Sequence, residues 1–436
     1  MAVKDASTKS IHVHHLTRVE GHGNIRVDIL DGVIQRCEME IVEAPRYFEA
    51  MLRGLNYQQA PQLASRICGI CAVSHNTASI LAVERALDVN PSEQTRLLRK
   101  LNLMGELMDS HILHIYMLVA PDLIGIGSVI PLAKSAPEIL NRALRMKKTA
   151  GDLCAVIGGR HTHPIATTIG GFTHYPTSAK LEEITAQLAF IRPDIEATVE
   201  LFASLEFPEF ERATEYQALN SGDGYAMTGS EIASTEGGQW PVERYLQVTN
   251  EYQVTHSTAK FARHLRPAYM VGALARFNLN HRQLHPAAVE AAHKLGLEPI
   301  CTNPYKITLA QLVELVHCYY SALDLLEELL EKGVREEAPV SPTRMSGEGV
   351  GAVEAPRGTL YHHYKIQGGR LTDANCIIPT AQNLGNIEAD MRGLALTMRS
   401  HTQPEVTQAL EMLVRAYDPC ISCATHMVEV NYVDRE

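Results

Sequence analysis

No segment of this 436-residue sequence is long and unbroken enough to cross a membrane. Its most apolar run, Ile115–Ala133, is interrupted by Pro121, Asp122, Gly125, Gly127, Ser128 and Pro131, whereas a spanning helix needs about 20 consecutive apolar residues. The first ten residues carry no apolar stretch and no paired arginines, so no export signal is expected and a cytoplasmic setting follows. Basic residues are in the minority, 39 Lys and Arg against 50 Asp and Glu, and form no stripe. The net charge of −11 therefore argues against nucleic acid as the main partner. Repeats and low-complexity tracts are absent too. The nine cysteines are odd in number and unevenly spread, which is not a disulfide scaffold and points to a reducing compartment or protected thiolates. None lies in a ferredoxin-like run, so the chain has no iron–sulfur relay of its own.

What is present is the material of a large globular protein, with 45% hydrophobic and 20% charged residues. Residues 11–44 alternate apolar and polar (Ile25, Val27, Ile29, then Val33, Met39, Ile41) about Asp31-Gly32, the pattern of a β-hairpin. Helical periodicity follows over 65–87, and from Pro91 to about Ala120, ending before Pro121. Further helices are expected at about 136–158, 178–206, 285–295, 308–333 and 403–416, with connectors at 158–177, 218–240 and 337–358. Strand character returns over 359–379. The expectation is a mainly α, α+β protein: a large helical core bundle with small peripheral sheets, built as one compact unit over 1–436.

Two cysteine pairs stand at opposite ends of this chain. Cys68-Gly69-Ile70-Cys71 is followed by His75, and Cys420-Ile421-Ser422-Cys423 by His426. A Cys-x-x-Cys brings two thiolates within reach of one metal, and both pairs can share a site only if the whole fold brings the ends together. A structural zinc site with four cysteine ligands is one reading. A thioredoxin-type redox pair is another, but it does not explain two pairs, each with a histidine. Soft thiolates also suit a nickel or iron centre.

The segments Arg66–His75 and Asp418–His426 resemble the two signature motifs of the large subunit of nickel–iron hydrogenases. Arg18–His22, Ala120–Asp122, Gly158–Pro164, Glu354–Gly358 and Ile378–Thr380 resemble further words of that family, so the likeness runs from about residue 11 to 426. The resemblance implies that Cys68 and Cys420 are terminal thiolates on nickel. Cys71 and Cys423 would bridge nickel to an iron carrying carbon monoxide and cyanide.

By the same resemblance, Glu20 is the first proton acceptor, Arg357 hangs over the open nickel position, and Pro356, Asp122 and Asp418 hold that arginine. Pro379 and Thr380 face a cyanide ligand, and His75 donates to a bridging sulfur. Glu49, the backbone carbonyl of Cys376 and His426 would bind a magnesium or iron(II) ion, a hard oxygen-rich set. On residue type alone, Glu20 and Asp122 also suit turns and Glu49 a solvated helix. The remaining cysteines and Arg160, His161 and His163 are read as packing residues.

The function so implied is reversible heterolytic cleavage of dihydrogen, the proton passing to Cys420 or Arg357 and out through Glu20. Electrons would leave over a large apolar interface, into an iron–sulfur small subunit. Beyond it would lie a nicotinamide-, deazaflavin-, ferredoxin- or disulfide-linked module, as in the cytoplasmic multi-subunit branch. Residues 427–436 resemble a tail removed by a maturation protease. A dihydrogen sensor with the same ligands is the alternative within this class.

Overall fold

Alternation of apolar and polar residues builds the N-terminal sheet, three antiparallel strands at Thr8–Val13, Gly23–Leu30 and Val33–Ile41. Ile25, Val27, Met39 and Ile41 fill its inner face, while Arg26 donates to Asp28 on the outer one. The expected hairpin is the second and third of these strands, and the first adds an edge. The computed structural model describes residues 8–31, 33–222 and 224–425.

Helices supply most of the core. Ser92 caps the Glu93–Leu113 helix by accepting the Thr95 amide at 3.1 Å. That helix packs on Pro137–Gly158 and on Ile307–Lys332, whose first thirteen residues are all buried. A helix buried on every side belongs at the centre of a large protein. No helix among the described residues is long and apolar enough to cross a membrane.

The expected helices at 136–158, 285–295, 308–333 and 403–416 are found within two residues of their predicted ends. Elsewhere the structure corrects the reading. The helix from Glu93 widens into a π-helical turn at His114–Val119, and Pro121 sits in the first turn of a new short helix, Ala120–Leu123. Proline lacks only an amide that a first turn leaves unpaired, so it starts a helix there instead of merely ending one. The 178–206 segment is two helices, Ser178–Phe190 and Arg192–Ala203, parted at Ile191 because Pro193 opens the second. The connector at 218–240 contains the strands Glu231–Ser234 and Gln239–Pro241, which join Glu215–Asn220 in a small sheet. A 19-residue helix, Pro379–Thr397, was not expected, because its asparagines and glycines mask any apolar stripe.

One contact positions the future site. The strand Gly347–Ala355 lies directly on the Ala72–Leu87 helix. A Cβ at Gly347, Gly349 or Gly351 would stand 2.0, 2.3 or 2.0 Å from the carbonyls of Ala86, Ala82 or Ala78. Glycine on every second strand residue thus meets alanine on every fourth helix residue, and backbone touches backbone. The strand then turns through Pro356-Arg357 and pairs antiparallel with Gly358–Gln367, which pairs in turn with Arg370–Ile377. Arg357 therefore sits on a two-residue hairpin tip rather than in an irregular loop.

Candidate metal centre

Cys68 ends the single 3-10 turn Ser65–Ile67 in extended backbone, and Cys71 precedes the first residue of the Ala72–Leu87 helix. The Cys68 sulfur accepts the Ile70 and Cys71 amides at 3.3 and 3.1 Å, which folds this segment around it. At the other end of the chain, Cys420 precedes the short helix Ile421–Ala424, and Cys423 lies within it. The Sγ atoms of Cys68, Cys71, Cys420 and Cys423 all lie within 4.8 Å of one another, and all four residues are buried. Cys68 and Cys420 approach to 3.6 Å.

Three devices close the chain ends onto each other. Glu20 and Cys420 form a parallel bridge in which Ile421 donates its amide to the Glu20 carbonyl at 2.9 Å. Gly21, at φ +87°, permits this approach, since a Cβ there would lie 2.7 Å from Ile421 Cβ and 2.8 Å from the Ser422 nitrogen. Arg46 then joins the two cysteine segments: its guanidinium donates to the Ile67 carbonyl at 2.7 Å and to those of Arg66 and Ser422 at 3.3 and 3.4 Å.

Around the thiols stand the polar residues expected from the sequence. Arg357, only 5% exposed, donates from Nε to the Asp418 carbonyl at 2.7 Å and from Nη2 to Asp418 Oδ1 at 2.8 Å. Although burial opposes it, Asp418, Cys420, Cys71 and Cys68 together raise its affinity for the proton. Thr380 accepts the Cys420 amide at 2.9 Å, and Pro379 starts the helix that carries it. Ser422 donates its amide to Glu20 Oε2 at 3.1 Å and its hydroxyl to the other oxygen. His75 shares a 3.0 Å hydrogen bond from Nδ1 to His362 Nε2. Burial depresses its pKa to about 4, so it is a neutral ring.

Asp122 and Pro356 are placed differently. Asp122 takes hydrogen bonds from Arg415 (2.7 and 3.0 Å) and Arg18 (2.5 Å), not from Arg357. It anchors the helix end that leads to Asp418, a step removed from the arginine it was expected to hold. Pro356 contributes its carbonyl to Arg276 at 3.1 Å. Glu49 is buried and accepts the Cys376 amide at 2.8 Å, with its pKa raised by burial against the opposing charge of Lys260. His426 lies outside the described residues, as does the 427–436 tail.

The donor set fits a thiolate-bound metal pair. Two buried nitrogens, Arg357 Nη1 and His75 Nε2, have no hydrogen-bond partner among the described residues. Both belong to side chains on which these cysteines act electrostatically. Buried donors are rarely left unpaired, so they await a group not made of protein.

Comparison with known proteins decides which group. A family model described as nickel-dependent hydrogenase matches residues 46–141 and 225–426. The chain belongs to the nickel-dependent hydrogenase family. It is 35% identical over 428 residues to the alpha chain of sulfhydrogenase 1 of Pyrococcus furiosus, covering 96% of this chain and 98% of the relative. The corresponding chain of the F420-non-reducing hydrogenase of Methanothermobacter thermautotrophicus is 30% identical over 456 residues, covering 95% and 94%. Among solved structures, a chain of an NAD+-reducing [NiFe]-hydrogenase in its H2-reduced state superposes with a TM-score of 0.86 at 28% identity, covering 97% of this chain and 100% of that one. This hydrogenase chain is thus a large, catalytic subunit, an oxidoreductase acting on dihydrogen, and the structural zinc reading falls.

Sequence reasoning passed over two hydrogenase residues at this centre. Arg46 is one; its neighbour Glu49 drew attention, but nothing local marks a guanidinium that will bind carbonyls far along the chain. Glu106 is the other, buried and accepting the Val73 and Ser74 amides at 2.5 and 2.9 Å. It caps the helix that starts at Cys71, and burial pushes its pKa to about 8. The only local signal was a carboxylate inside the apolar stripe of the Glu93–Leu113 helix.

Proposed function

We propose that this subunit cleaves and forms dihydrogen heterolytically at a nickel–iron centre bound by Cys68 and Cys420 as terminal thiolates and by Cys71 and Cys423 as bridging ones. The convergence of four buried sulfurs within 4.8 Å, from segments about 350 residues apart, carries the reading. When bound, the centre, with carbon monoxide and cyanide on iron, supplies the Lewis acid and the electron acceptor.

The chain's own residues do the rest. Asp418 holds the Arg357 fork by two atoms, so that the guanidinium is a preorganised positive charge acting on the thiolates, with Nη1 unpartnered among the described residues. His75 offers Nε2 to a bridging sulfur because His362 engages its Nδ1. The Thr380 oxygen takes the Cys420 amide, which leaves its hydroxyl proton for a cyanide beside Pro379. A proton released at the Cys420 sulfur or at Arg357 would reach the Glu20 carboxylate, which the amide and hydroxyl of Ser422 hold while the backbone bridge fixes Glu20 against Cys420.

Glu49, the Cys376 carbonyl and His426 are proposed as ligands of a magnesium or iron(II) ion, next to which Lys260 already balances part of the carboxylate charge. Working as one catalytic unit, the chain would pass electrons to an iron–sulfur small subunit in a cytoplasmic complex. The resemblance to an NAD+-reducing enzyme favours a nicotinamide-linked module among the possible acceptors. A maturation protease would remove residues 427–436; an intact mass that includes Glu436 in active enzyme would rule this out.

Metal analysis tests the centre. Nickel, iron in at least equal amount, and infrared bands of carbon monoxide and cyanide are expected. Zinc without nickel would sink the proposal.

A further inference from the structure

Away from the cysteines, a cleft opens between the Ala72–Leu87 helix, the start of the Glu93–Leu113 helix and residues 224–230. It consists of two adjoining cavities of about 370 and 390 Å³ that share Leu81, Arg85, Lys100, Met227 and Thr228. Among the described residues four cations line it, Arg85, Arg96, Arg99 and Lys100, against one carboxylate, Glu84. That carboxylate is committed: Arg99 grips both its oxygens at 2.7 and 2.9 Å, and the Gly170 amide adds a third bond at 2.8 Å.

The other three cations have no carboxylate within hydrogen-bond or ion-pair distance among the described residues. Arg85 donates only to the carbonyls of Val350 and Gly229, and Arg96 only to the Asn90 side chain and the Pro91 carbonyl. Glu243, which does not line the cleft, and Glu84, which is engaged by Arg99, act on Arg85 only at longer range. Half-buried Lys100 has no hydrogen bond or ion pair among the described residues. Arg99 is 5% exposed, yet its Nε is unpartnered. In a chain of net charge −11, an uncompensated positive concavity is a focused field for an anion. Guanidinium forks beside an ammonium suit tetrahedral oxyanions with more than one negative charge.

We propose that this cleft is a binding site for a small phosphoryl-bearing anion. Its floor is tied to the centre. The Tyr225 hydroxyl donates to Glu314, and the Glu354 amide donates to the Met227 carbonyl at 2.8 Å. Glu314 and Glu354 together hold Arg276, which donates to the carbonyls of Ala355 and Pro356 at 2.9 and 3.1 Å. An occupant is thereby joined by buried hydrogen bonds to the hairpin that carries Arg357. The site itself does not depend on the metal chemistry.

Titration calorimetry of the purified holoenzyme with inorganic phosphate and pyrophosphate, at ionic strength held constant with sodium chloride, tests it. One pyrophosphate per chain is expected. Lys100→Ala and Arg96→Gln should each weaken binding about tenfold, the loss of one charged contact. Without the anion, both variants should keep wild-type unfolding temperature and hydrogen uptake, which shows that they fold. No saturable heat above the chloride control, or an affinity that either variant leaves unchanged, overturns the proposal.

Discussion

Arg357 is held by two hydrogen bonds to one residue, Asp418, and the geometry of a fork leaves its third nitrogen without a partner among the described residues. A lysine at this position would keep the charge and lose the aim, because an ammonium on a flexible stem has no fixed second arm. Arg357→Lys is therefore expected to lower kcat for hydrogen uptake about 10²-fold while nickel and iron content stay unchanged, the scale seen when one preorganised donor is lost. Dye-coupled uptake assays on metal-quantified enzyme read this out; unchanged kcat would show that position and charge alone suffice.

Among the cysteines, Cys68 is held well below the usual thiol range: burial opposes this, but thiols of Cys420, Cys423 and Cys71 hydrogen-bond to its sulfur. Cys71 and Cys420 are pushed up in return through hydrogen bonds among the thiols, and Cys423 to about 11, mainly by burial. Glu106 is a separate case with a testable sign. Its folded pKa of about 8 exceeds the ordinary 4.5 because it is buried. Below 4.5 both folded and unfolded chains bind the proton, so the contribution to stability is fully present and does not vary with pH. Between 4.5 and about 8 only the folded chain does, and stability falls as pH rises through that window. Urea midpoints at pH 5 to 8 should therefore slope less in Glu106→Gln than in the parent chain. Parallel slopes would show that Glu106 ionises normally.

At the scale of elements, the decisive contact is the Gly347–Ala355 strand on the Ala72–Leu87 helix, because one carries Arg357 and the other follows Cys71. Gly351→Ala would place a methyl carbon 2.0 Å from the Ala78 carbonyl, with backbone on both sides and no flexible side chain to yield. A loss of about 1–3 kcal/mol is expected from such overpacking, measured by denaturant unfolding. Arg276 has a related role. Its two buried carboxylates, Glu314 and Glu354, give little net stability for the desolvation they require. What they secure is the guanidinium on the Ala355 and Pro356 carbonyls. Arg276→Met should shift the cyanide infrared bands and lower kcat more than it lowers unfolding temperature; unshifted bands would make Arg276 a packing residue only.

Much at this scale was legible. The helices at 137–158, 286–294, 307–332 and 403–416 show a clear 3.6-residue apolar period or strong ends, such as the Thr402–Glu405 capping box. Pro379–Thr397 escaped because it is buried on nearly every side among polar partners: Gln382, Asn383 and Asn386 are all inside and hydrogen-bonded. Periodicity reports a boundary between core and water, and such a helix has none. The π-helical turn at His114–Val119 was equally silent, since it widens one turn without altering residue type.

For the whole molecule, the centre is the place where the chain's two ends are pinned. The metal-free chain holds four buried sulfurs together by contacts such as Arg46, the Glu20 bridge, the Arg357–Asp418 pair and Thr380. Metal binding to the folded arrangement adds its free energy to folding. Metal-loaded enzyme should therefore unfold at a higher temperature than metal-free chain and should protect the 418–425 segment from proteolysis. Equal cleavage of that segment in both forms would show that closure does not depend on metal.

The sequence by itself determined the chemistry: two Cys-x-x-Cys pairs, an arginine after Glu354-Ala355-Pro356, and an acidic, largely helical chain without a membrane span or an iron–sulfur run of its own. Residue type and short spacing carry that information, because ligand softness and helix period are local properties. Tertiary structure decided which side chains meet. It turned Asp122 toward Arg415, brought Arg46 across the two cysteine segments, set Arg357 on a hairpin tip, and placed Glu106 beneath the helix that begins at Cys71. Those contacts join residues tens to hundreds of positions apart, and only the packing of glycine strand on alanine helix, and of both chain ends on one core, selects them.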